Sequence, residues 1–141
     1  MKSLNRAMLI AVLVLVAIVS AACGGGSGGG SGKPEDAVKN WMTALFAGDG
    51  ATVRNNTCDA QKAGITDELV NQMKSAYSAS GATVDISPLT YTYDSTAKTV
   101  TVGGNIKVTI SGVSTDAPVP FPPFPVVEEG GGWKVCAPMG G

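Results

Sequence analysis

PEDAVKNWMTALFAGDGATVRNNTC, residues 34–58, decides the fold. Pro34 suits a first helical turn, where its missing N–H would have no partner, and Glu35 and Asp36 stand where the helix dipole favours acids. Ala37, Val38, Trp41, Met42, Leu45 and Phe46 then recur at helical spacing and form one apolar face. Gly48-Asp49-Gly50 stops that helix, and a short second helix follows from about Ala51 to Asn56. A third opens at Ile65-Thr66: Thr66 is a good N-cap and Ile65 can staple to Val70. Leu69, Val70, Met73, Ala76 and Tyr77 line its apolar face, and Gly81 ends it.

Beyond Gly81 the apolar period changes from 3.6 to 2. Val84 and Ile86, then Leu89, Tyr91 and Tyr93, alternate with polar residues, and Pro88 marks a bulge or an edge between two halves of one strand. Asp94 to Lys98 forms a hairpin turn. Val100, Val102, Ile106, Val108 and Ile110 share one face of a long strand that Gly103-Gly104 allows to bend. Pro118 to Pro125 holds five prolines, so it reads as an extended edge that becomes a strand only near Val126 and Val127. Gly130-Gly131-Gly132 turns the chain into a last strand, Trp133 to Ala137. Helices first and a bent antiparallel sheet second is an α+β arrangement, with the long first helix as the cover for the sheet.

The region ahead of the first helix carries an address. Lys2 and Arg6 precede Ala7 to Val19, 13 apolar residues without a charge, and Ser20-Ala21-Ala22 is a small-residue cleavage site directly before Cys23. The run is shorter than the roughly 20 residues of a spanning helix, so residues 1–22 read as a bacterial export signal. Ala21-Ala22-Cys23 resembles a lipobox, which makes Cys23 the lipidated first residue of a mature lipoprotein; Ser20 departs from the usual bulky aliphatic residue there. Ordinary secretory cleavage, leaving a freely secreted protein, is the alternative. Of three cysteines, Cys58 and Cys136 can pair in an exported domain, which leaves Cys23 odd and favours lipidation. Residues 23–32 then form the lipidated cysteine and a Gly/Ser tether, GGGSGGGSG, and 33–141 a single domain.

The segment 34–58, followed by strands and the ending GGWKVC, resembles small envelope lipoproteins of the nuclear-transport-factor-like superfamily. The likeness covers residues 33 to 137. Its sharpest pieces are the helix with Ala44, Leu45 and Gly48-Asp49 at its end, and Trp133-Lys134-Val135-Cys136 on the last strand. It implies a cystatin-like cone, three N-terminal helices packed on a curved four-stranded antiparallel sheet. It also implies that Cys58 pairs with Cys136. The superfamily holds enzymes as well as binding and accessory domains, so the fold alone does not settle function.

Composition removes several function classes. There is no histidine, hence no Ser-His or Cys-His nucleophile pair and none of the commonest metal ligand; no metal or cofactor is expected. Without Lys2 and Arg6, 8 basic residues stand against 11 acidic ones, a net charge of −3, and no basic cluster marks a nucleic-acid partner. Enzymes of the superfamily place acids and tyrosines inside the cone, and Asp36, Asp49, Tyr77, Tyr91 and Tyr93 are the residues available for an isomerase or hydrolase. No acid falls on an interior face; alternation turns Asp85 to solvent. Trp41, Met42, Phe46, Met73 and Tyr77 can line an apolar pocket or simply fill the core. Pro120-x-x-Pro123 and Pro122-x-x-Pro125 have polyproline-ligand spacing, but an edge that resists aggregation is the better account of them. The expectation is a non-enzymatic extracytoplasmic lipoprotein, membrane-held through acyl chains, that binds an apolar small molecule or an envelope protein.

Lipidation is open to a direct check: intact mass of the exported protein should place the mature amino terminus at Cys23 with acyl chains attached. Cys23→Ser should then release the protein from membranes. A mature chain with an unmodified cysteine would identify a secreted protein instead.

Overall fold

Residues 31–119 and 121–139 are described by a computed structural model; the expected signal, residues 1–22, and Cys23 lie outside them. Four helices precede seven strands among the described residues: α1 Pro34–Ala47, α2 Gly50–Asn55, α3 Asp59–Lys62, α4 Asp67–Ser78, then β1 Ala82–Asp85, β2 Thr90–Asp94, β3 Thr99–Gly103, β4 Asn105–Ile110, β5 Val113–Pro118, β6 Phe124–Glu129 and β7 Gly132–Val135. The protein is α+β, with antiparallel sheets of order β1-β4-β5 and β2-β3-β6-β7.

Local signals set the helix ends. Pro34 starts α1, and Gly48 (φ 78°) ends it in the left-handed region that glycine enters without strain. The Gly48 N–H donates to the Leu45 carbonyl (3.2 Å) and the Asp49 N–H to Ala44 (2.9 Å), a Schellman closure. Asp49 then caps α2, its carboxylate accepting from the Thr52 N–H (3.0 Å) and hydroxyl (2.6 Å). Thr66 caps α4 by accepting from the Leu69 N–H (3.1 Å), and Ile65 and Val70, either side of that cap, share one core cluster.

Three expectations need correction. The helices number four because Asp59–Lys62 makes one extra turn. Cys58, the residue before it, offers no side-chain cap; Glu129 from β6 supplies one by accepting from the Asp59 N–H (3.0 Å). The strands form two sheets instead of one four-stranded sheet. Asp85 accepts from the Ser87 N–H (2.9 Å) and Leu89 donates to the Ile86 carbonyl (3.1 Å), so a turn separates β1 from β2. Opposite it Gly104 (φ 92°) separates β3 from β4, where a Cβ would stand 3.3 Å from the Pro88 carbonyl oxygen. Two chain breaks at one level divide the long hairpin, β1 continuing with β4 and β2 with β3. The proline-rich segment, finally, is not an edge where it becomes a strand. β6 begins at Phe124 and lies between β3 and β7, and its pairing with β3 is limited to Val100↔Phe124 and Thr99↔Pro125. β5, unexpected from the sequence, joins β4 through Ser111-Gly112, whose positive φ values (51° and 82°) match a tight primed hairpin turn.

The core lies between α1 and the four-stranded sheet. Val38, Trp41, Met42 and Leu45 of α1 meet Val100, Val102, Phe124, Val126 and Val135. The outer edge of β7 is occupied rather than free. Ser31, in the sequence part of the tether, exchanges backbone bonds with Trp133 (2.9 and 3.2 Å) and accepts on its hydroxyl from Asn40 (3.0 Å). Further along, Val135 donates to Asn56 (2.8 Å) and Cys58 donates to Val135 (2.8 Å), so Thr57 sits as a one-residue parallel strand. Cys58 and Cys136 are joined there by a disulfide (Cα–Cα 5.1 Å). The buried Thr57 hydroxyl accepts from the Trp41 indole N–H (2.9 Å) and donates to the Val53 carbonyl (2.7 Å), tying α1 to α2 at the point where the backbone on either side holds β7.

Replacing Thr57 by valine keeps its shape but strands the indole N–H in the core. Urea unfolding should show a loss of about 1–3 kcal/mol; an unchanged midpoint would mean that Trp41 has another partner. The double change Cys58→Ala, Cys136→Ala should lower stability by about 2–5 kcal/mol, and reducing agent should then shift the parent but not the variant.

Candidate ligand-binding cavity

Between α1, α4 and the carboxy-terminal segments lies a cavity of about 600 Å³. Its wall from α1 is Trp41, Met42, Leu45 and Phe46, one helical face and its shoulder. Leu69 and Met73 of α4 form the second side. Phe121 to Pro125 run across the third, and Ala137, Pro138 and Met139 complete it beyond the disulfide. None of these residues carries a charge, a hydroxyl or an amide side chain. The only polar side-chain atom among them, the Trp41 indole nitrogen, already donates to Thr57.

Aromatic contacts stiffen this wall. Trp41 lies 5.8 Å from Phe124 between ring centroids, and Phe124 lies 5.9 Å from Phe121, in tilted geometries favourable to ring quadrupoles. Phe46 meets Tyr77 at 5.5 Å. The opposite side is softer: Met42, Met73 and Met139 are unbranched and adapt to an irregular occupant. α4 leaves room because it is thinly seated, with Val70 its single buried residue and Ala76 exposed instead of facing inward.

Trp41, Met42, Phe46 and Met73 thus border one cavity, whereas Tyr77 stands behind Phe46 and does not reach it. Leu45, Leu69, the Phe121–Pro125 strap and Ala137–Met139 were missed as lining. Phe121 and Phe124, three apart in a run without a polar residue, are the sequence signal that could have found the strap.

A second cavity, about 470 Å³, lies on the other side of Phe46. Lys39, Thr43 and Ala47 of α1 face Val84 to Ser87 and Tyr91 across it. Asp85 therefore borders a cavity while remaining exposed. The Tyr91 hydroxyl is buried without a hydrogen-bond partner, and loss of solvent pushes its pKa up. Hydrogen bonds from Ser87 hold the Asp85 carboxyl below the usual range. These shifts move both groups away from neutrality, the wrong direction for an acid–base pair working there. Asp49 is likewise held low, mainly by Thr52, and is spent as a helix cap. No cluster of metal-ligating side chains occurs among the described residues.

No family model matches the chain, and no curated protein is detectably similar to it.

Tyr91→Phe removes an unpaired buried hydroxyl and should raise stability by about 1 kcal/mol in urea titrations. Because the folded-state pKa of Tyr91 is raised, native stability should fall as pH rises beyond the ordinary tyrosine value of 10.0. The variant should lose that part of the alkaline decline; an identical decline would assign it to other groups.

Proposed function

We propose that the protein is an extracytoplasmic lipoprotein, anchored through Cys23, whose cystatin-like, nuclear-transport-factor-like cone binds an apolar ligand in the larger cavity. It acts as a binding or accessory domain, not as an enzyme. The observation that carries this reading is the chemistry of the lining: some 600 Å³ bounded by fourteen residues, none with a free polar side-chain group. Such a site can discriminate by shape and hydrophobicity alone. A hydrocarbon entering it gains about 0.8 kcal/mol per buried methylene, whereas a buried polar group would find no partner and be rejected.

The volume also bears on ligand size. A methylene group is close in size to a water molecule, whose share of liquid volume is about 30 Å³. The cavity therefore holds on the order of twenty carbon atoms. A single long acyl or isoprenoid chain is of that size. The alternative, an isomerase or hydrolase, would have to use Asp85 and Tyr91 at the smaller cavity, and their opposed pKa shifts argue against it.

The test uses protein exported with Cys23→Ser and the neutral, polarity-sensitive dye Nile red. Saturable binding with blue-shifted emission is expected. Met73→Trp, which fills the cavity from its half-buried side, should weaken binding at least tenfold while leaving the circular dichroism of the fold intact. Equal dye binding by the folded variant would remove the cavity from the proposal.

A further inference from the structure

We propose that the cavity is built to receive one acyl chain of the protein's own Cys23 anchor, so that the lipid is at once tether and ligand. This rests on the lipoprotein reading above and on an apolar occupant for the same cavity. The first support is reach. Ser31 is clasped to Trp133 and to Asn40, and both partners lie close in the chain to the cavity wall: Trp41 directly follows Asn40, and Ala137 comes four residues after Trp133. At strand spacing four residues cover about 13 Å. Ser31 stands eight positions after Cys23, and a chain of that length reaches at most about 26–29 Å. That reach exceeds the contour length from Trp133 to the cavity wall at Ala137.

The second support is charge. A phospholipid or a free fatty acid brings an ionised head group to the cavity mouth, where no lining residue is charged or able to donate a side-chain hydrogen bond. An anchor attached through a cysteine thioether has no phosphate or carboxylate, and with the Cys23 α-amine also acylated it brings no charge there. The third is concentration. A short linker that spans its site presents the tethered group at a millimolar effective level. Moving a single chain from bilayer to cavity exchanges one hydrocarbon environment for another, and the remaining chains hold the protein at the membrane. Occupancy would draw the domain down against the lipid surface, and an external apolar ligand would have to displace the anchor chain to bind.

The experiment uses the lipidated full chain in phosphatidylcholine vesicles, with the anchor metabolically labelled by a fatty acid carrying a diazirine near its methyl end. After irradiation, peptide mapping should find the Cys23 lipopeptide joined to the peptides containing Met73 or Met139 of the same molecule. Met73→Trp should reduce that product at least tenfold. A second copy of GGGSGGGSG should reduce it about threefold, since effective concentration falls with roughly the −3/2 power of linker length. Crosslinks confined to vesicle lipid, or product insensitive to both changes, would overturn the proposal. Nile red separates the two readings: if Cys23→Ser protein binds the dye while the anchor never crosslinks to the cavity, only this inference falls. If the dye does not bind either, the apolar-ligand reading falls with it.

Discussion

The short segment around Thr57 joins the two halves of the molecule. Thr57 accepts from Trp41 and donates to Val53, and its backbone neighbours exchange hydrogen bonds with Val135. One residue therefore fixes the long helix, the short helix behind it and the last strand in a common frame. Because Thr57 is fully buried, each of these bonds is made where a missing partner would be expensive. The adjacent disulfide makes the same junction covalent, between positions 78 residues apart. Its entropic contribution lies in the unfolded chain, where it closes a long loop; the hydroxyl instead sets the orientation of the native elements.

The cavities follow from how unevenly that frame is distributed. α1 is held along most of its length, by the indole bond, by the Schellman closure and by packing against β7 and β6. α4 has a sound amino-terminal cap and one fully buried side chain; Met73 and Tyr77 are only half-buried, the first against the core and the second against Phe46. A helix with only one fully buried residue leaves a gap beside Leu69 and Met73. That gap is the apolar chamber, whereas the smaller, partly polar cavity lies beyond Phe46 between α1 and β1–β2 and takes no wall from α4.

The helices were legible in the sequence because their causes are local: Pro34, Gly48, Asp49 and Thr66 each act within a turn of where they stand. The pairing of Cys58 with Cys136 was within reach of cysteine arithmetic and family likeness. The division into two sheets was not. Pro88 and Gly104 each read as a bend in one strand, and only their juxtaposition across the hairpin, invisible in one dimension, turns two bends into a break. β5 escaped because its residues, VSTDAP, are nearly all exposed and carry no alternation to read. The one-turn helix at Asp59 depends on Glu129, 70 residues away. Four of the five residues expected at a pocket border the cavity, but half of its wall comes from the strap and the tail, whose prolines gave no periodicity. Cys23, the residue with the clearest chemical role in the sequence, lies outside the described residues.

The seating of β7 has a consequence for the order in which the molecule can be made. Its partners are Ser31 and Asn56–Cys58 on one edge and β6 on the other, so the earliest described residues are completed by almost the latest. A chain delivered amino-terminus first cannot finish its four-stranded sheet or bring its two sulfurs together until residue 136 has emerged. Contacts of such sequence separation form slowly and late. The helices and the β1–β5 hairpins can form from local contacts before then, whereas closure through β7 and the disulfide waits for residues 132–136.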